Sequence, residues 1–270
     1  MSTAYRIYNQ NIWGNMPPTA RIANRHDLIA ELITEQAPDV CGFQECNPRT
    51  SRAGEGAIDR RMAALGYTEA AAAHAGENFT PLFYKKDILD EEAAGFLPYE
   101  GLNDVRSKSM TWAILRDRRN GNRFAVISTH FWWRWEGEED HAARLSNVDA
   151  LLAQCKKLAD KYTVPVIVMG DLNNGDNAPQ GDSAYRALLA GGMTDTRTAA
   201  READTGHTCH GYPTLGEDGI YRDGDAPYMT LDHILLWNAE ALIAHRLAVL
   251  RTPAALNSSD HCPLVLDFEI

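Results

Sequence analysis

The sequence has no means of pairing its cysteines. There are five in 270 residues, an odd number without a C-x-x-C spacing. That argues against both a disulfide framework and a thiolate zinc site. Cys41 and Cys155 stand among apolar neighbours and are expected to be buried free thiols. Positive charge is also short, since 26 Lys and Arg against 37 Asp and Glu leave a formal net charge of -11. This sign is opposite to the usual footprint of a protein that grips duplex DNA or an anionic membrane. No run of about 18 apolar residues is present, so no transmembrane helix is expected. Met1 to Arg6 contains no apolar core of a secretory signal, and a cytoplasmic compartment is the expectation. Low-complexity tracts, internal repeats and shifts of composition are missing too. The expectation is therefore one domain over residues 1–270, and the chain is expected to be a monomer.

What the sequence does contain is an alternation of strand and helix signals. With 44% hydrophobic and 23% charged residues, its composition is that of an ordinary globular chain. Tyr5 to Trp13, Val40 to Phe43, Pro81 to Tyr84, Thr111 to Leu115, Phe124 to Thr129, Val164 to Met169, Thr230 to Trp237, Leu242 to Leu250 and Cys262 to Phe268 read as strands. Asn120-Gly121 is a hairpin turn between two of them. Helical periodicity runs through Ile22, Leu28, Ile29, Leu32 and Ile33, through Asp59 to Leu65, and through Leu145, Val148, Leu151, Leu152, Cys155 and Leu158. Leu172 to Tyr228 reads as loops that could wall a site, with one short helix at Ser183 to Leu189. Strands joined both by helices and by hairpins predict an α/β sandwich of mixed sheets with helices on the outer faces.

The residues with chemistry sit where the apolar runs stop. Glu45, His130, Asp171, Asp232, Asp260 and His261 all fall at or just beyond strand ends. Each alone has a bland reading as a turn, cap or hydrogen-bonding residue. Their repetition is different, because strand-end loops are where α/β folds collect their chemistry. Four converging carboxylates repel one another, and burying them unpaired would cost several kcal/mol each. A divalent cation and a charged histidine relieve that penalty. Oxygen ligands such as Glu45 and Asp260 suit a hard cation, Mg²⁺ or Mn²⁺, and such a cation is the usual partner of a phosphate substrate. Asp171-Leu172-Asn173 places two polar side chains on one side of an extended backbone, where they could hold a water. Asp260 and His261 should point to opposite sides, one toward a metal and the other toward an acid such as Asp232.

These residues lie in motifs that occur in a fixed order. They are Tyr8-Asn9-Gln10-Asn11-Ile12-Trp13-Gly14, Phe43-Gln44-Glu45, Ser128-Thr129-His130, Gly170-Asp171-Leu172-Asn173, Leu231-Asp232-His233-Ile234 and Ser258-Ser259-Asp260-His261-Cys262-Pro263-Leu264. The chain resembles the endonuclease/exonuclease/phosphatase superfamily of DNase I-like phosphoesterases from Tyr5 to Phe268. The resemblance implies a four-layer α/β sandwich of two mostly antiparallel sheets flanked by helices. It also implies a Mg²⁺- or Mn²⁺-dependent hydrolase in which water attacks a phosphoester in line. By the same resemblance Glu45, Asn11 and Asp260 belong to the metal site. Asp171 and Asn173 activate or orient the water, His130 contacts the phosphate or leaving group, and Asp232 with His261 forms the Asp–His pair. Trp13 stands where some nucleases of the superfamily carry an acid.

Specificity rests on other positions. Phe131-Trp132-Trp133-Arg134-Trp135 follows His130, and Trp132 is a candidate stacking wall. Arg106 and Lys108 precede a strand and are candidate phosphate contacts, while Arg144 opens the long helix and His210 resembles a substrate-loop histidine of the family. Glu136 to Asp140 holds four acids in five residues, which disfavours a long polyanion and favours a small or short phosphoester. An endo- or exonuclease acting on DNA or RNA is the alternative. A non-catalytic binding protein on the same fold would show a broken catalytic set, whereas every core position here is filled.

Overall fold

The computed structural model describes residues 3–14, 25–52, 56–71, 77–102, 107–211, 214–215, 221–222 and 228–270. Pro17, Pro18, Ile22, Arg106 and Tyr228's neighbours 223–227 lie outside the described residues. The first half of the chain forms β1 (Ala4–Asn11), α1 (Arg25–Gln36), β2 (Val40–Gln44), α2 (Ile58–Ala64), β3 (Tyr67–Glu69), β4 (Leu82–Lys85), β5 (Leu89–Pro98), β6 (Ser109–Asp117) and β7 (Arg123–His130). The second half forms α3 (Glu138–Tyr162), β8 (Val166–Asp171), α4 (Ser183–Ala190), β9 (Thr194–Asp195), α5 (Thr196–Ala199), β10 (Glu202–Ala203), β11 (Thr214–Leu215) and β12 (Tyr221–Arg222). It closes with β13 (Asp232–Trp237), β14 (Ile243–Val249), α6 (Pro253–Ser258) and β15 (Leu264–Glu269).

Two mixed, mostly antiparallel sheets result. One has the order β10-β14-β15-β1-β2-β4-β3 and the other β5-β6-β7-β8-β13-β9, with β11-β12 as a separate ribbon. The period-2 geometry of a strand explains how they stack. In β8, Ile167 and Met169 face the opposite sheet while Val166 and Val168 face α3 and α4. In β1 and β2, Ile7 and Val40 point inward while Tyr8, Cys41 and Phe43 meet Ile29, Leu32 and Ile33 of α1. Three apolar layers therefore lie between four structural layers: helices, sheet, sheet, helices. Each fully buried aliphatic side chain contributes about 1.5–3 kcal/mol to holding them together.

Most expected strands and helices are present within a few residues of their expected limits. The hairpin at Asn120-Gly121 joins β6 to β7, with Gly121 at φ 80° donating to the Asp117 carbonyl at 2.8 Å. Two features differ from expectation. The edge strand β5 is long but half-buried or exposed at every position after Leu89, so its sequence carries no apolar alternation. Between Leu172 and Tyr228 the chain also forms β9 and α5, which dock on β13 rather than running only as loops. All five cysteines are buried and free. No helix among the described residues is long and apolar enough to cross a membrane.

The layer between the sheets changes character along its length. Its apolar body gives way to Asn9, Gln44 and Ser128, all fully buried. There the Gln44 amide donates to Asn9 Oδ1 at 2.9 Å and to Ser128 Oγ at 3.0 Å. One residue pair further along, the strands end. That is where the chemistry begins.

Candidate functional site

Register brings three of the expected residues into one row. His130, the last residue of β7, pairs with Asp171, the last of β8, and Asp171 pairs with Asp232, the first of β13. Each continues the inward face of its strand, after Val126 and Ser128, after Ile167 and Met169, and before Ile234. From the other sheet come Asn11 at the end of β1, Glu45 just past β2, and Asp260-His261 just before β15. The two rows meet. Asn11 Nδ2 donates to Asp171 Oδ2 at 2.8 Å and lies 3.3 Å from Glu45 Oε1. His130 Nε2 lies 3.4 Å from Asp171 Oδ2 and 4.0 Å from Glu45 Oε1. His261 Nδ1 lies 2.8 Å from Asp232 Oδ2, and its Nε2 lies 4.0 Å from Asp171 Oδ2.

Several backbones are bent to achieve this. Trp13, Glu45 and Asn173 have φ of 51°, 53° and 47°, a conformation that residues with a β-carbon adopt at a cost of about 1–3 kcal/mol. Glu45 is turned so that its Oε2 accepts from Gly14 N at 3.1 Å. A β-carbon on Gly14 would stand 1.9 Å from the Glu45 carbonyl oxygen, so only glycine allows this approach. Asn173 departs from expectation in the same way. It does not extend beyond Asp171 but folds back, its N–H donating to Asp171 Oδ1 at 2.7 Å. Its amide then reaches sideways to His130 Nε2 at 3.0 Å and to the Phe131 carbonyl at 3.1 Å.

Electrostatics sort the ionisable groups into opposite states. Burial works against charge on Asp171, yet His130, where that ring carries its proton, and the charges of His261 and Lys108 hold its pKa well below the usual carboxylate range. Burial also disfavours a charged His261, but Asp232, Cys209 and Asp260 outweigh it and hold that imidazole's pKa well above its ordinary value. His130 goes the other way, because burial and then the Lys108 charge push its pKa down. Lys108 Nζ stands 2.5 Å from His130 Nε2. With that ammonium and the Asn173 amide both facing Nε2, this nitrogen is an acceptor and the ring is neutral. Asp260 is pushed up to about 7 by burial, with Glu45 adding to the shift against the pull of His261.

That last shift bears on a metal. Glu45 and Asp260 are hard oxygen donors, Glu45 works against the ionisation of Asp260, and the Glu45 side chain keeps 30% of its exposure. A divalent cation between them fits this donor set. Asp171, Asp232 and His261 also bring ligand atoms within 4.8 Å of one another. In that second group His261 Nδ1 is engaged by Asp232, and Asp171 already accepts two N–H bonds, so a cation on the Glu45–Asp260 side would leave those bonds in place.

The expected specificity residues are distributed differently. Trp132 is 6% exposed and packs beneath its loop. Its indole donates to Asp140 Oδ1 at 2.7 Å, and its backbone N–H donates to Asn147 Oδ1 at 3.0 Å. Trp133 and Trp135, at 49% and 56%, are the exposed members. Arg144 is buried and donates to the Arg134 carbonyl, bracing that loop from α3 rather than opening to a cleft. His210 is buried behind the site, with Nε2 2.9 Å from the Ser259 carbonyl. Arg106 lies outside the described residues. Part of the acidic run has a structural use, since Glu138, Glu139 and Asp140 form the first turn of α3, where negative charge meets the helix N-terminus.

Two supporting residues escaped the sequence reading. Thr208 Oγ1 accepts the N–H groups of Leu231 and Asp232 at 3.0 and 2.9 Å, fixing the start of β13. Ser259 Oγ donates to the Asn11 carbonyl at 2.7 Å and ties Asp260-His261 to β1. Ser259 lies inside the Ser-Ser-Asp-His motif, which was its only signal; Thr208 had none.

The sequence profile of the Endonuclease/Exonuclease/phosphatase family matches residues 9–261. No curated protein matches the sequence. Among solved structures, the chain is similar to an endonuclease/exonuclease/phosphatase from Bacteroides vulgatus, with TM-score 0.76, 20% identity and 99% of each chain covered. It is also similar to a mannosyl-6-phosphatase from Bacteroides thetaiotaomicron, with TM-score 0.74, 17% identity, and 98% of this chain and 99% of that one covered. The catalytic domain of human Nocturnin with a bound sulfate anion gives TM-score 0.70 and 20% identity, over 98% of this chain and 94% of that one. At such identities these likenesses speak to the fold, and all three share the four-layer sandwich. The family profile runs from Asn9 in β1 to His261, through every strand end described above, and the chain belongs to the Endonuclease/Exonuclease/phosphatase family.

Proposed function

We propose that this chain, as one domain, is a divalent-metal-dependent hydrolase of phosphoester bonds acting on a small or short phosphoester by in-line attack of water. The observation that carries the reading is the row His130–Asp171–Asp232 facing Asn11, Glu45 and His261 across the mouth of the sandwich. Glu45 and Asp260, with Asn11 beside them, would hold Mg²⁺ or Mn²⁺. When bound, such an ion neutralises charge on the phosphoryl group as a Lewis acid.

The protein's own groups have distinct tasks. Asp171, kept ionised and fixed by Asn11 and by the Asn173 N–H, orients the attacking water and takes its proton. His261, kept cationic by Asp232, donates a hydrogen bond to a phosphoryl oxygen. Neutral His130 stands at the phosphate or leaving oxygen, with Lys108 and the Asn173 amide gathered on its Nε2. Beyond His130, Trp133 lines a surface depression with Arg134, Glu136, Glu138 and Glu139, and Trp135 is exposed on the same loop. Aromatic faces bordered by carboxylates suit a neutral ring bearing hydroxyl groups better than a polyanion. One structural neighbour is a mannosyl-6-phosphatase, so phosphorylated sugars are the first substrates to test.

The test is a screen of the purified chain with Mg²⁺ or Mn²⁺ against phosphorylated sugars and inositols, sphingomyelin, single-stranded DNA and RNA. Hydrolysis of a sugar phosphate, reduced about 10²–10⁴-fold by Asp171→Asn, is the expected result. Preferential cleavage of DNA or RNA would replace this reading by the nuclease one. Silence toward every ester, with no metal binding in calorimetry, would point to a binding protein on the same scaffold.

A further inference from the structure

The strand that carries Asp232 carries a second histidine beside it. In β13, Asp232, Ile234 and Leu236 face between the sheets, so His233 faces the helical layer, and it is buried. Its ring stacks on Tyr185 of α4, with centroids 4.6 Å apart and planes at 25°. Nδ1 lies 3.5 Å from Asp195 Oδ2, and Nε2 lies 3.1 Å from the backbone oxygen of Asn174. A carbonyl oxygen can only accept, so Nε2 carries the proton. Asp195 is itself held in place: its Oδ2 accepts from Tyr185 OH at 2.7 Å and its Oδ1 from Arg197 N at 2.8 Å.

This cluster grips one short segment of chain. Asn174 is held at its carbonyl by His233 and at its side-chain Oδ1 by the Tyr185 N–H, at 2.9 Å. Gly175 follows at φ +151°, and a β-carbon there would stand 2.2 Å from the Thr230 carbonyl oxygen and 2.9 Å from His233 Nε2. The turn is thus pressed onto His233 from one side and tied to α4 on the other. Asn173, the preceding residue, is the one folded back onto Asp171 with its amide on His130.

We propose that His233, stacked on Tyr185 beside Asp195, is a positioning residue that fixes the Asn173–Asn174 turn and so holds the Asn173 amide on His130. It touches no reacting atom. Its effect on rate rests on the phosphoesterase reading above, but its effect on the turn does not. The geometry matters because an error of about 1 Å in a catalytic group can cost on the order of 10²-fold in rate.

The experiment compares His233→Phe with His233→Gln in the full chain. Phenylalanine keeps the stacking on Tyr185 and loses the N–H, whereas the glutamine amide can reach the Asn174 carbonyl. With bis(p-nitrophenyl) phosphate and Mn²⁺, the Phe variant should lose about 10–100-fold in kcat with KM nearly unchanged, and the Gln variant should recover most of it. In parallel, side-chain amide exchange of Asn173 by NMR should be slow in the wild type and in His233→Gln, and fast in His233→Phe. Asp195→Asn, which weakens the same anchor, replaces the Phe variant if that protein does not fold. If Asn173 exchange is equally slow in all variants, or if Gln and Phe lower kcat alike, the positioning role is wrong. A wild type that cleaves nothing but shows the expected exchange pattern would sink the hydrolase reading and leave the positioning one standing.

Discussion

His130 and His261 flank the same carboxylate from opposite sheets, and they are held in opposite states. His261 stands 4.0 Å from Asp171 and is bonded to Asp232, which keeps it cationic. His130 stands 3.4 Å from Asp171, but the nearest group to its Nε2 is the Lys108 ammonium at 2.5 Å, and together with burial it keeps the ring neutral. Both rings are buried next to a common acid. Burial disfavours charge on both; an acid overcomes it at His261, and a base adds to it at His130. One protonated and one neutral imidazole around an ionised carboxylate let a single site donate and accept protons near neutral pH.

Removing Asp232 should disturb this asymmetry most. Asp232→Asn leaves His261 buried without its charge partner, so its pKa should fall and activity should drop about 10²–10⁴-fold. The profile of kcat/KM against pH checks it: the alkaline limb should move to lower pH, and a limb that stays in place would mean that His261 owes its charge to something else. A smaller effect is expected from Lys108→Met, about 10–100-fold, from the loss of a charge-assisted contact. In that variant the His130 pKa should rise toward its ordinary value when followed by NMR in metal-free protein. No rise would break the contrast between the two rings.

The smallest effect is on stability, and its sign differs for the two residues. A folded-state pKa raised above the unfolded one stabilises fully below the unfolded value, near 6.5, and that stability is lost as pH climbs through the folded pKa. His261 therefore makes the metal-free protein less stable toward alkaline pH. For His130 the folded pKa lies below the unfolded one, so the unfolded chain binds the extra proton, and stability falls as pH drops below about 6.5. Denaturant midpoints of His261→Ala and His130→Gln across pH should flatten the alkaline and the acid slope respectively. Flattening of the same slope by both would contradict the assignment.

Much of the fold was readable because burial imposes a period. The unbroken apolar runs in Val166–Asp171 and Arg123–His130 report strands covered on both faces, and the 3.6-residue rhythm of α3 reports which side of that helix is covered. β5 escaped because an edge strand with few buried positions leaves no such record. Within the site, the stopping points of the apolar runs marked Glu45, His130, Asp171 and Asp232, since a polar residue there ends a core-facing row. The fate of the tryptophans was not readable. Trp132 and Trp133 are neighbours of one type, and only Asp140 and Asn147, reaching over from α3, draw the first under the loop and leave the second exposed. The fold-back of Asn173 was equally silent, because Asp-Leu-Asn is compatible with an extended strand until His233 and Tyr185 fasten the next residue.

By itself the sequence determined which side chains stand at the mouth of the sandwich, because strand periodicity and the ends of apolar runs are local properties of the chain. It also determined the excess of acid that makes a hard cation the natural counter-ion there. The tertiary structure decided the charge each group carries. Lys108 meets His130 from 22 positions away and Asp232 meets His261 from 29, and electrostatic energy depends on separation in space and on burial, not on order along the chain.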